Sequence, residues 1–212
     1  MQIAICDYGI GNLRSAEKAF QHLGFDAQLT TDPAQLAQAN RIVLPGVGNF
    51  GECMRNLEQH GFIEPLRAEV AKGKLLLGIC VGLQMMFDTS EESPGTAGLG
   101  LIKGGVEKFR GVQYDHGHDT QALKVPQIGW NSLSFPRPHP LFKDIASGSF
   151  VYFVHSFYAK PADSDDVLAS ADYGLEFCAS AGRDNLMGVQ FHPEKSQTVG
   201  LNILKNFGEM AR

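Results

Sequence analysis

Residues 75–84 read Leu-Leu-Leu-Gly-Ile-Cys-Val-Gly-Leu-Gln. An apolar run this short, broken by a Gly-x-Cys-x-Gly turn and continued by a helical pattern, is a buried strand that turns sharply into a helix. That is the form of a nucleophile elbow with Cys80 at its apex. The feature constrains the fold because a strand apolar on both faces belongs inside a sheet covered on both sides. The flanking glycines, Gly78 and Gly82, fit positions where a Cβ would collide with the returning chain.

The rest of the first half agrees. Ile3–Cys6, Phe25–Thr30 and Arg41–Leu44 read as strands, the last broken by Pro45-Gly46. Between the first two, Leu13, Ala16, Phe20 and Leu23 recur at helical spacing, with Asn12 as a candidate N-cap and Gly24 as the stop. Strands alternating with helices imply right-handed βαβ units and a mostly parallel sheet. From Gly98 to about Val189 the pattern turns β-rich, with runs at 104–109, 124–134, 150–159, 167–171 and 175–181, which predicts an added antiparallel region. A last helix is predicted over about 198–210. With 212 residues, no repeat and no long linker, residues 1–212 read as one α/β domain.

In such sheets ligands bind at the carboxyl ends of the strands. Asp7, Gly46 and Cys80 all follow strands directly and are expected at one edge. A helix N-terminus and a nearby imidazole favour the thiolate, the reactive form of cysteine. Phe191-His192-Pro193-Glu194 supplies that imidazole and a carboxylate. Proline favours an extended residue before it, and in an extended segment residues i and i+2 share a side. Glu194 is thus expected to orient His192 while His192 faces the thiol, the logic of a catalytic triad. The Val81 N–H after the nucleophile is one expected oxyanion donor. The glycine-rich loop Pro45-Gly46-Val47-Gly48-Asn49-Phe50-Gly51 is the expected source of the other; it lacks the Gly-Lys-Ser/Thr ending of a phosphate loop.

Other classes are disfavoured. The net charge of −5 without a basic cluster argues against nucleic acid. No apolar stretch reaches the ~20 residues of a membrane span, the N-terminus reads as a strand, and a cytoplasmic location is expected. Cys6, Cys53, Cys80 and Cys178 are widely spaced, which disfavours a zinc site, and Cys6 and Cys178 read as buried and inert. Tyr114-Asp115-His116-Gly117-His118-Asp119 reads as a solvated loop rather than a metal site. No metal or cofactor is expected.

Taken together, Leu77–Gln84 and Gln190–Glu194 resemble the nucleophile and His-x-Glu segments of class I, triad-type glutamine amidotransferases, over essentially the whole chain. The resemblance implies a flavodoxin-like three-layer fold and hydrolysis of glutamine through a γ-glutamyl thioester on Cys80, with ammonia passed to a synthase. Segments 7–13, 45–50, 126–131 and 152–158 are similar to one branch, glutaminases that serve a separate (β/α)8 cyclase subunit in amino-acid biosynthesis. By that resemblance Gly46, Val47, Gly48 and Val81 line the oxyanion side. Gln84 and the backbone around Ser156 hold glutamine, and Asn12, Trp130, Tyr152 and Lys195 meet the partner. The extra residue Val47 between two glycines suggests a loop with two backbone states, the active one favoured when the partner binds its own ligand. Two alternatives stay open at this level: another glutaminase of the family, serving anthranilate, pyridoxal phosphate or guanine nucleotide synthesis, and a non-hydrolytic elbow-cysteine protein such as a redox sensor or chaperone.

Overall fold

The structure, a computed structural model, describes residues 1–115 and 122–211. Its first half runs β1 (Gln2–Cys6), α1 (Leu13–His22), β2 (Asp26–Thr30), β3 (Arg41–Gly46), α2 (Phe50–Gln59), α3 (Ile63–Ala71), β4 (Leu75–Cys80) and α4 (Val81–Met85). The second half is mostly strand: β5 (Thr89–Ser90), β6 (Gly104–Lys108), β7 (Tyr114–Asp115), β8 (Leu123–Lys124), β9 (Gln127–Ser132), β10 (Phe150–His155), β11 (Phe157–Pro161), β12 (Val167–Asp172), β13 (Glu176–Arg183) and β14 (Leu186–Val189), before the closing α5 (Gln197–Glu209).

One sheet organises the chain in the order β2-β1-β3-β4-β14-β13-β11-β6-β5, with β12 beside β13. The stretch from β2 to β14 is parallel throughout, and β14-β13-β11-β6 continues it antiparallel. Every residue of β3 and β4 is buried, as expected for central strands covered on both faces. Helices flank this sheet. On one side Phe20 of α1 meets Phe207 of α5 edge-on, with ring centroids 6.3 Å apart. β9 and β10 form a separate antiparallel ribbon.

Three sequence expectations change in detail. Pro45 and Gly46 do not break the third strand; β3 carries them in register with Ile79 and Cys80. The run predicted over 150–159 is two strands divided at Ser156, with β10 in the ribbon and β11 in the main sheet. Asn12 makes no side-chain cap to α1; its amide nitrogen donates to Glu194. Gly24 does end α1, at φ 84° in the left-handed region that glycine tolerates. Among the described residues no helix is long and apolar enough to cross a membrane, and no group of three metal-ligating side chains gathers. His116–Asp119, most of the loop considered for metal, lie outside the described residues.

Candidate active site

Register brings the site together. β3 pairs Gly46 with Cys80, and β14 pairs Val189 with Ile79 on the other side of β4. The glycine loop, the elbow and the segment leading to His192 therefore leave three adjacent parallel strands at the same level. This is the strand-end crevice expected of the fold.

The elbow depends on close backbone approach. Cys80 has φ 56° and ψ −112°, a strained conformation for a residue with a side chain. A Cβ on Gly82 would lie 1.8 Å from the Leu44 carbonyl oxygen, and one on Gly78 would lie 2.7 Å from the Gly82 backbone. Gly46 presses on the same turn, where a Cβ would come within 2.8 Å of the Gly82 nitrogen. Only glycines let α4 start this close to β3, and that closeness sets the direction of the Cys80 side chain. Cys80 is almost fully buried, with its Sγ 4.0 Å from the Val154 carbonyl and 3.8 Å from the Gln190 amide nitrogen.

His192 and Glu194 meet as expected, by a different local route. His192 is extended, but Pro193–Lys195 form a 3-10 turn that folds Glu194 back under the ring. His192 Nδ1 lies 2.9 Å from Glu194 Oε1, with both side chains buried. Asn12 Nδ2 donates to the same carboxylate oxygen at 3.0 Å. Ser196 anchors the turn, donating to the His192 carbonyl at 2.7 Å while its Oγ accepts from Tyr152 N–H. Burial alone disfavours the imidazolium, but the Cys80 sulfur and the Glu194 carboxylate outweigh it and raise His192 to about 10. Burial likewise opposes the Glu194 charge, yet His192 and Asn12 hold its carboxyl below the usual range. The other cysteines are poor nucleophiles: burial pushes Cys53 up to about 11 and Cys178 up to about 12, and raises Cys6 as well.

A cavity of about 370 Å³ opens over the thiol. Val47, Gly48, Val81, Gln84, Ser156 and His192 line it together with Cys80, and Lys195 stands exposed at its rim. Gly46 lies behind the loop, in a small second hollow shared with Asn12 and Glu194. Gln84 is fixed by two bonds from its amide nitrogen, to the Phe157 carbonyl at 3.1 Å and to Gln190 Oε1 at 3.0 Å. Trp130 and Tyr152 lie away from the cavity as a cross-strand pair on the ribbon, rings edge-on at 5.9 Å. Ile128, Trp130 and Phe150 are large apolar residues left exposed there.

Some cavity residues carry little sequence signal. Glu92 lies in an ordinary acidic loop, and its Oε2 accepts the Phe50 N–H at 2.7 Å. His155, which only the family resemblance places beside the site, lies in a strand; its Nδ1 is 2.8 Å from the Phe157 carbonyl and its Nε2 meets the Gln127 amide. Burial pulls it down to about 4, so it stays neutral and does not compete with His192 as the charged partner. Gln190 enters the sequence reading only as the first residue of the Gln190–Glu194 segment.

Residues 4–210 match the family described as glutamine amidotransferase class-I. The imidazole glycerol phosphate synthase subunit HisH of Syntrophotalea carbinolica is 52% identical over 208 residues, 98% of this chain and 100% of that protein. The protein of the same name from Geobacter sulfurreducens is 51% identical over 99% of each chain. Among solved structures, a glutamine amidotransferase superposes with a TM-score of 0.71 at 18% identity, covering 97% of this chain and 98% of that one. The structure of PurLQS from Thermotoga maritima gives the same score, over 98% and 95%. At such low identity these two speak for the fold alone. This chain belongs to the class-I glutamine amidotransferase family.

Proposed function

We propose that the chain, acting as one glutamine amidotransferase domain over residues 1–212, is the glutaminase subunit of an imidazole glycerol phosphate synthase. It hydrolyses glutamine to glutamate and delivers the ammonia to a separate (β/α)8 cyclase subunit. That subunit makes imidazole glycerol phosphate and an aminoimidazole carboxamide ribonucleotide in histidine biosynthesis. The observation that carries the reading is a buried Cys80 and His192 in one cavity, with Glu194 paired to His192 behind it, on a chain about half identical to HisH subunits over nearly its whole length.

The chemistry follows from the groups present. The Cys80 sulfur adds to the glutamine carboxamide carbon, and the developing oxyanion is met by backbone N–H groups of the Gly46–Gly48 loop and of Val81. His192 gives its proton to the departing nitrogen, which leaves as ammonia and a γ-glutamyl thioester. The now neutral imidazole takes a proton from water, whose oxygen attacks the thioester and releases glutamate. Glu194 keeps the ring oriented and its charge compensated through both half-reactions, and Asn12 steadies Glu194. Gln84 and the Ser156 backbone hold the substrate, and Glu92 presents a carboxylate at the cavity wall that suits its α-ammonium group. The exposed face of Trp130 and Tyr152, with Lys195 and the α1 end at Asn12, meets the cyclase subunit; an apolar patch with a charged rim suits a stable partner.

The test is glutamate release by the full chain with and without a cyclase subunit and its nucleotide ligand, in parent and Cys80→Ser proteins. Stimulated release in the parent and none above background in Cys80→Ser is expected. Parent-like release by Cys80→Ser sinks the assignment.

A further inference from the structure

A chain of side-chain amides ends on the nucleophile. β14 pairs Val189 with Ile79 of β4, so one residue further on Gln190 stands level with Cys80. The Gln190 backbone N–H still donates to the Ala179 carbonyl at 2.8 Å, and the residue is fully buried. Its side-chain oxygen accepts from Gln84 Nε2 at 3.0 Å, and its amide nitrogen lies 3.8 Å from Cys80 Sγ.

The neighbours decide which end of that amide faces the sulfur. Gln84 Nε2 also lies 3.1 Å from the Phe157 carbonyl, which can only accept, so that end of Gln84 is its nitrogen. The same nitrogen meets Gln190, whose facing atom is then the oxygen. The Gln190 amide N–H is left toward Cys80, and among the described residues the sulfur is its one partner. A thiol sulfur is a weak acceptor, whereas an ionised one takes the stronger, charge-assisted bond. His192 is the sulfur's other donor, but its proton goes to the departing nitrogen. The Gln190 amide keeps its protons and stays a donor through both half-reactions.

We propose that Gln190 is a further catalytic residue: its amide donates to the Cys80 sulfur and stabilises it as the anion that leaves when the thioester is hydrolysed. In that step the water oxygen bonds the thioester carbon and His192 takes one water proton, while the carboxyl product keeps the other. The carbon–sulfur bond breaks with its electron pair left on the sulfur, beside the Gln190 N–H. The bond to Gln190 is given up when the sulfur attacks glutamine and regained when the sulfur leaves, so its gain falls on the second half-reaction. The inference rests on the glutaminase reading and adds a residue that acts on the nucleophile itself.

The experiment measures steady-state glutamine hydrolysis by the full chain assembled with its cyclase subunit and nucleotide ligand. Gln190→Met and Gln190→Leu both lack the donor and differ in shape. Both are expected to lose about fivefold or more in kcat with kcat/KM within about threefold. Both are also expected to accumulate the γ-glutamyl thioester, read by mass spectrometry of the quenched enzyme. A parent-like kcat in either folded variant, beside an inactive Cys80→Ser control, overturns this inference alone. Equal losses in kcat and kcat/KM without thioester also overturn it, because the defect is then packing. A second reading needs no change at Gln190. In NMR of the ¹⁵N-glutamine-labelled chain, the Gln190 side-chain amide proton is expected downfield in the parent and to move upfield in Cys80→Ala. An unmoved proton overturns the proposed bond. Parent activity in Cys80→Ser instead overturns the nucleophile reading beneath it.

Discussion

Adding one methyl group at Gly82 is expected to disable the site without touching a catalytic group. The new Cβ would lie 1.8 Å from the Leu44 carbonyl oxygen and 2.9 Å from its carbon. Ordinary carbon–oxygen contacts begin near 3.3 Å, so the two backbones must separate by about 1.5 Å. Leu44 sits fully buried in a central strand paired on both sides, so α4 is the element that gives way. α4 begins directly after Cys80, the proposed nucleophile, and a misplacement of about 1 Å at a reacting group costs about 100-fold. Overpacking of this kind costs about 1–3 kcal/mol of stability, and in a chain of this size each kcal/mol lowers Tm by about 2–4 °C. Gly82→Ala is therefore expected to lose at least about 100-fold in kcat in a steady-state glutaminase assay of the complex. Its Tm, followed by circular dichroism, is expected to fall by about 2–12 °C. Gly73→Ala is the control. Gly73 has φ 82° and open space around its absent Cβ, so the variant carries about 1–2 kcal/mol of left-handed strain with no clash and keeps its kcat. A Gly82→Ala enzyme within threefold of the parent, or a Gly73→Ala enzyme equally slow, would refute the argument that backbone proximity aims the thiol.

His192 is raised from an ordinary value of 6.5 to about 10, so its imidazole is expected to stay protonated through neutral pH in a ¹⁵N NMR titration, and to titrate lower in Cys80→Ala. Because the folded value lies above the unfolded one, the linked stability is complete below about 6.5 and is lost as pH rises through about 10. The parent's Tm should fall more steeply than that of Cys80→Ala over that range, and a His192 titrating near 6.5 in the parent would contradict the pairing. Asn12→Ala removes a donor to the buried Glu194 carboxylate. Bonds to charged groups are worth about 1.5–3 kcal/mol, so kcat at saturating cyclase subunit should drop about tenfold or more with KM unchanged; a parent-like kcat would show that Glu194 holds His192 unaided.

What was legible in the sequence came from residues whose chemistry is local. The Gly-x-Cys-x-Gly turn after an apolar run dictates a strand, a tight turn and a helix, because only glycine tolerates the close backbone approach on either side of Cys80. The His-Pro-Glu spacing brings imidazole and carboxylate together through bonds a few residues long. The parallel strands β1 to β4 were readable for the same reason, since each βαβ unit is short-range; β14, which pairs parallel with β4 from far along the chain, falls in the stretch read as antiparallel. Less legible was the break at Ser156, where one apolar run feeds two sheets, because nothing in a continuous β pattern records a change of partner.

The sequence by itself pointed to Cys80, His192 and Glu194 and to the parallel strands β1 to β4; that β14, which leads to His192, joins them parallel to β4 came only from the structure. Only the tertiary structure decided how separated segments converge. Register sets Gly46 beside Cys80, a turn far along the chain brings Glu194 onto Asn12, and the first turn of α2 places Cys53 under Val47. Those contacts depend on which backbone lies next to which at the end of the sheet. A bond between residues 182 positions apart, such as Asn12 to Glu194, exists only once long-range packing has brought its two ends within 3 Å.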